Sequence, residues 1–235
     1  MNPENPNSSI DALGLGSIAK AIPPEVYMRT AESILSAFDS LVAPITRSTA
    51  GLGELIRQKF ENMTQREKAL AEYSLRRALE KAETKSKALH DARGPVHFKS
   101  IIRALEEVSK ETDPVLHEMW TNLLASEFTN GSAHPHFIQI LTHFSSAEAH
   151  LLVTLRDIKS AGYKGDRGIL VGKFRGAKWV RNSDDTESFD WNLACSLLVE
   201  FGVADVLAAK TKEKGGPCLL FRTSLGTDFL KVVQD

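Results

Sequence analysis

Eight basic side chains lie within 26 residues, at Arg156, Lys159, Lys164, Arg167, Lys173, Arg175, Lys178 and Arg181. Only Asp157 and Asp166 oppose them, a local charge of +6 (8 − 2), and Tyr163, Phe174 and Trp179 are interleaved. Cations beside aromatic rings suit a phosphate backbone with stacked bases, or an anionic surface. The plainer reading is a lysine-decorated edge hairpin, a common device against strand aggregation. The chain as a whole carries a net charge of −1. No global field therefore draws an anionic partner, and nucleic-acid binding would have to come from this local patch.

Other chemistry is weaker. His134-x-His136, His143 and His150 lack Asp, Glu or Cys at ligand spacing, and Pro135 keeps the first two rings off one helical face, so no metal site is expected. Cys195 and Cys218 sit in apolar runs (NLACSLL, GPCLLF) without a charged neighbour to lower the thiol pKa, and read as buried reduced thiols. No G-x-S-x-G elbow is present, and Gly14-Leu15-Gly16-Ser17 and Gly51-Leu52-Gly53 lack the frame of a phosphate loop. The sequence predicts no catalytic constellation, no cofactor and no small-molecule substrate.

Positioning elements can be read from caps and periodicity. The 235 residues are 42% hydrophobic and 25% charged, enough for a substantial core. Residues 1–9, rich in Asn, Pro and Ser, are expected to be disordered. A helical region follows over 10–92, with a first helix from Glu25 to Val42 and a second over Leu52 to Phe60. Thr64-Gln65-Arg66-Glu67 is a capping box that launches a helix to about His90. With Leu70, Tyr73, Leu79 and Leu89 as its large apolar residues, that helix is expected on a surface, its charges solvated. Arg93-Gly94-Pro95 breaks the chain.

A helical core is expected over 95–160. Phe98, Ile101, Ile102, Leu105 and Val108 form one stripe. Asp113-Pro114 starts the next helix, with Leu116, Trp120, Leu123, Leu124 and Phe128 inward and Asn130-Gly131 as its stop. Pro135 opens a third, with Phe137, Ile140, Leu141 and Phe144 inward, and Ser145-Ser146-Ala147-Glu148 caps a fourth carrying Leu151, Leu152, Leu155 and Ile158.

Over 161–235 the period changes. Ile169 to Phe174 and Trp179-Val180 read as a short hairpin or extended loop, and Asn182 to Asp190 as a polar, turn-rich stretch. Asp190 then caps a helix with Leu193, Leu197, Leu198 and Phe201 inward, ended by Gly202. Strands over Val203 to Ala208 and Cys218 to Arg222 and a last helix over Thr223 to Val233 complete a winged-helix-like order. The fold class expected is mainly α, a multi-helix bundle with a small α+β C-terminal portion.

The wording of the centre adds to this reading. Leu116 to Ala125 (LHEMWTNLLA), His134 to Leu141 (HPHFIQIL) and Phe144 to Leu152 (FSSAEAHLL) resemble the abortive infection alpha family of bacteria. Its members show "MW-x-NLLA", "HP-x-F-x-x-IL" and "LS-x-x-(D/E)A-x-LL"; here Phe144 stands in place of the usual Leu. Leu197 to Val203 and Arg222 to Phe229 are similar to the family's ending. The resemblance spans about 95–233 and implies a role in defence against bacteriophage; it transfers no active site. A non-enzymatic component acting through a protein partner or self-association is expected, with the polar helix over Thr64 to His90 and the N-terminal segment as contact regions. Nucleic-acid binding through 156–181 is the alternative, and membrane targeting through 11–50 a third. The N-terminus lacks the basic start and apolar run of a secretory signal, and no window reaches the length of a membrane span, so a cytoplasmic protein is expected.

Overall fold

The computed structural model describes residues 32–33, 36–37, 40, 52–89, 97–131, 133–157, 168–175, 178–180, 188–189, 193–208 and 217–234. It is mainly α with a small α+β portion. Two compact units form, one of residues 1–142 with 232–235, the other of residues 143–231.

In the first unit the described positions among 32–40 are helical. Helices α1 (Leu52–Glu61), α2 (Gln65–Leu89), α3 (Phe98–Val108), α4 (Pro114–Asn130) and α5 (Pro135–Thr142) follow. The expected caps are in place. Thr64 N–H donates to Glu67 Oε2 at 2.7 Å and Glu67 N–H returns to Thr64 Oγ1 at 3.3 Å, closing the box that starts α2. Asp113 Oδ1 accepts from the N–H groups of Val115 and Leu116 at 2.9 and 3.0 Å, with Pro114 as the first helical residue of α4. Gly131, at φ 63°, ends that helix in the left-handed conformation glycine adopts without a Cβ penalty. The break at Arg93 to Pro95 lies outside the described residues; α2 and α3, on either side of it, belong to the same unit.

Helix α2 departs from one expectation. Glu80, Glu83 and Thr84 are exposed, but the opposite side is interior: Ala69, Leu70, Ala71, Glu72, Ser74, Leu75, Ala78 and Ala82 are buried, and α4 is its main partner. Small residues along this face let the two backbones approach closely, so the face buries with little large apolar material. Of its charged residues, Arg77 and Lys81 reach across to α4, while Glu80 and Glu83 are exposed.

Helix α4 is buried on nearly every side, between α2 and α3. Trp120 is only 2% exposed, and Met119, Leu123, Leu124 and Ala125 are buried with it. Phe128, expected inward, is half-buried. The inward faces of α3 (Ile101, Ala104, Leu105, Val108) and α5 (Phe137, Ile138, Ile140, Leu141) follow the predicted period.

The second unit holds α6 (Ser146–Asp157), β1 (Gly168–Arg175), β2 (Lys178–Val180), β3 (Ser188–Phe189), α7 (Leu193–Glu200), β4 (Ala204–Ala208), β5 (Pro217–Arg222) and α8 (Ser224–Val233), whose last two residues belong to the first unit. Ser145 starts α6: its N–H donates to Glu148 Oε2 at 2.6 Å, and its Oγ accepts from Ala147 N–H at 3.2 Å. The strands form one sheet in the order β2-β1-β5-β4, with β3 paired in parallel to β1.

The sheet corrects the sequence reading once: Ser188–Phe189, expected in a loop, pairs with Leu170 and Val171. The expected hairpin forms as β1–β2, and β1 also pairs along β5, with an irregularity between Val171 and Lys173. In α7 Leu198 is buried as expected, but Leu193 is 72% exposed, and Ala194 and Cys195 are buried instead. Asp190 lies outside the described residues.

A tight corner joins α7, β4 and α8. Gly202 ends α7 at φ 71°. Thr223 Oγ1 donates to Gly202 O at 2.6 Å and accepts from Gly226 N–H at 3.0 Å, so one hydroxyl caps α8 and ties it to the end of α7. Gly226 lies so close to β4 that a Cβ would stand 1.9 Å from Val203 O. Phe144 completes the unit's core, with ring centroids 5.7 Å from Phe229 and 6.1 Å from Phe201.

Candidate functional site

Polar groups concentrate along the seam between α2 and α4. Positions 74, 77 and 81 recur at helical spacing on α2, and 117, 118, 122 and 126 on α4, which brings side chains from facing helices together. Ser74 Oγ donates to Leu70 O at 2.8 Å and therefore accepts from His117 Nε2–H at 2.9 Å, which sets the imidazole tautomer. A serine beside a histidine invites a nucleophile–base reading. Here the hydroxyl proton is committed to a backbone carbonyl, and Ser74 and His117 are 0% and 2% exposed. Burial, reinforced by the Arg77 cation and opposed by Glu118, lowers the His117 pKa to about 4, so the ring is neutral at pH 7. The pair is a structural tie.

Beside it, Glu118 receives two cations from α2. Arg77 Nη1 lies 2.8 Å from Glu118 Oε2, and Lys81 Nζ 2.8 Å from Glu118 Oε1. Burial pushes the Glu118 carboxyl up, but hydrogen bonding to Lys81 and the charges of Arg77 and Lys81 outweigh it and hold the group below the usual carboxylate range. Arg77 also stands 5.7 Å from the centre of the Tyr73 ring.

Asn122 extends the network to the end of the chain. Its Oδ1 accepts from Lys81 Nζ at 2.6 Å, and its Nδ2 donates to Val233 O at 3.2 Å. One helical turn on, Ser126 Oγ donates to Val232 O at 3.0 Å. The last carbonyls of a helix have no partner within it. Asn122 and Ser126 supply partners for two of those of α8. Asparagine suits position 122 because one side chain must accept from an ammonium and donate to a carbonyl.

An open cleft of about 390 Å³ lies where α1, the start of α2 and the end of α3 meet, lined by Gln58, Asn62, Met63 and two carboxylate–ammonium combinations. Lys59 pairs with Glu106 across it. Glu67, opposite Lys110, is held below the usual carboxylate range, first by its backbone bond to Thr64 and further by that lysine. These charges balance, and the cleft has no preference of sign.

The basic residues singled out in the sequence divide as follows. Arg156 is exposed near the end of α6. Lys173 and Arg175 lie on β1 and Lys178 on β2; Lys159, Lys164, Arg167 and Arg181 lie outside the described residues. Register pairs Arg175 with Lys178, Phe174 with Trp179 and Lys173 with Val180. The three basic residues thus take register positions of one parity, and the two aromatic residues the other. Among the described residues no group of three or more His, Cys, Asp or Glu could hold a metal ion. His134 Nδ1 accepts from His136 N–H at 3.2 Å, and His143 stacks on Phe201 with centroids 5.7 Å apart. Cys195 is buried.

The seam escaped sequence reasoning because its partners are 43 (Ser74 and His117) and 111 (Asn122 and Val233) residues apart, and no local pattern joins them. A family model described as abortive infection alpha matches residues 65–194, from the first residue of α2 into α7. It takes in α2 and both sides of the seam, while the Gly202–Gly226 corner lies beyond it. No curated protein and no solved structure matches the chain.

Proposed function

The chain belongs to the abortive infection alpha family, and from that premise we propose that it is a non-enzymatic component of bacterial defence against bacteriophage, acting through a protein partner or self-association. The family match carries the biological setting. The polar side chains of the matched stretch support the non-enzymatic part: Ser74 and His117 pair with each other, Glu118 with Arg77 and Lys81, and Asn122 with Lys81 and the backbone. The working contact then falls outside the α2–α4 seam, in a cytoplasmic protein that meets its trigger after infection.

Expression in a phage-sensitive bacterium tests the setting. Plaque numbers should fall, and cells infected at high multiplicity should die without releasing progeny; unchanged plating and burst size would sink the proposal. The Ser74→Ala variant tests the second part. Full protection by the folded variant is expected, whereas loss of protection at unchanged fold and abundance would point to catalysis at Ser74.

A second reading is favoured by the register of β1 and β2. Lys173, Arg175 and Lys178 share one parity, a row of cations suited to the phosphate backbone of a nucleic acid. On this reading the winged-helix-like α7–β4–β5–α8 order supports the hairpin. Binding of labelled DNA and RNA should weaken with salt, at about 0.7 to 0.9 in log K per log salt for each phosphate contacted. Binding that is absent at low salt, or unchanged by charge reversal at Arg175, Lys178 and Arg181, would refute it. Membrane targeting through 11–50 falls almost wholly outside the described residues, and among those described no helix is long and apolar enough to cross a membrane. Failure to sediment with anionic liposomes would dispose of that third reading.

A further inference from the structure

Glu127 is a carboxylate in an unusual position. It lies in α4 one turn before the Gly131 cap, is 0% exposed, and directs Oε1 at the start of α3. There it accepts from the backbone N–H of His97 and lies 3.1 Å from His97 Nδ1. His97 is the N-cap of α3 in an extended conformation, and its side chain makes no capping bond. Glu127 therefore supplies from another helix an acceptor for the unpaired backbone N–H at the start of α3. Its second oxygen, Oε2, is buried with no hydrogen-bond partner. A buried charged oxygen without a donor is costly, and a proton on the carboxyl removes most of that cost.

We propose that the contact between Glu127 and His97 is a proton-operated latch on the first turn of α3. The His97 imidazole, half exposed at 50%, is the titratable group that faces Glu127 and gives the pair access to solvent protons. With a proton on Glu127 the buried charge is cancelled and the α3 cap is closed. With Glu127 ionised, a charged oxygen without a donor is sealed beside α3, and the first turn opens to bring water to it. Opening exposes Ser100 and Ile101, both buried in the closed form. Burial pushes the Glu127 carboxyl above its ordinary range, outweighing the hydrogen bonding and charge of His97. For an acid with a raised pKa, stability is present at low pH and declines as pH rises through the folded value. The latch is closed in acid and opens toward alkali.

Hydrogen exchange of the full chain reads this directly. After correction for intrinsic exchange, protection of the Ser100 and Ile101 amides should fall by about tenfold or more between pH 5 and pH 9, a change of about 1.4 kcal/mol in the opening equilibrium. Glu127→Gln keeps the shape and an acceptor for His97 N–H, and its protection should not vary with pH. A flat wild-type profile, or an equal fall in Glu127→Gln, would overturn the latch. Carboxyl-carbon NMR of wild-type protein gives a test independent of any variant. The Glu127 resonance should titrate above those of the exposed glutamates; titration together with them would also overturn the proposal.

Discussion

The α2–α4 seam of the first unit and the α7–β4–α8 corner of the second both hold backbone elements close together, with opposite materials. The seam is filled with polar atoms, each given a partner: Ser74 with His117, Glu118 with Arg77 and Lys81, Asn122 with Lys81 and Val233. The corner works by leaving atoms out, through Gly202 at positive φ and Gly226 against Val203 O, with one hydroxyl at Thr223 as a pin. A seam of paired groups depends on pattern and charge, since an unmatched donor or acceptor is what costs. A corner of close contact depends on volume. The two regions should therefore fail under different perturbations.

The largest separation is expected from Gly226→Ala. The added methyl meets the Val203 carbonyl, a backbone group that cannot swing aside, and stability should fall by about 3 kcal/mol or more, independent of pH. A denaturant midpoint close to wild type would show that the corner is not volume-limited. Acid comes next and acts on the seam. His117 is held at about 4 when folded against an ordinary 6.5, so the unfolded chain takes up this proton first. Its contribution is complete above about pH 6.5, declines as pH falls, and is lost by about pH 4, roughly 3 kcal/mol in all. Unfolding curves of His117→Gln across this window should lack that part of the slope. An unaltered slope would move the acid sensitivity elsewhere.

Smaller effects sharpen the contrast. Asn122→Asp keeps the acceptor for Lys81 and removes the donor to Val233 O, and should cost about 2 kcal/mol with faster amide exchange at Val232 and Val233. Exchange at wild-type rates would show that the tail does not depend on this amide. Thr223→Val keeps the shape of the corner and removes its hydroxyl. A loss of about 1 kcal/mol in thermal unfolding is expected, and a loss equal to that of Gly226→Ala would mean that capping, not volume, governs the corner.

The two regions also differ in how far they could be read in advance. The corner announces itself: Gly202 after an apolar helix, then a threonine three residues before Gly226, are signals within one or two turns. The seam does the reverse. Ala69, Ser74, Ala78 and Ala82 among charged neighbours spell a solvated helix, and only contact with α4 makes them an inner face. His117 and Asn122, polar letters in an apolar run, gain meaning from Ser74 and Val233. The basic stretch was legible as a cluster of charge, and Lys173, Arg175 and Lys178 do share one hairpin. The pairing of that hairpin with β5, and of β3 with β1, carried no signal in the residues themselves.

What the sequence by itself determined is local. The boxes at Thr64 and Ser145, the Asp113-Pro114 start, the Gly131 and Gly202 stops and the inward stripes of α3 and α5 follow from hydrogen bonds and periodicities that close within about one helical turn. Its central wording also placed the chain in its family. Tertiary structure alone decided that α2 buries a whole face, that β1 lies between β2 and β5, and that Glu127 caps a helix it does not belong to. The reason is the range of the forces involved. A cap is satisfied by neighbours along the chain, whereas the burial of a charge or the pairing of a strand depends on what distant segments bring to it.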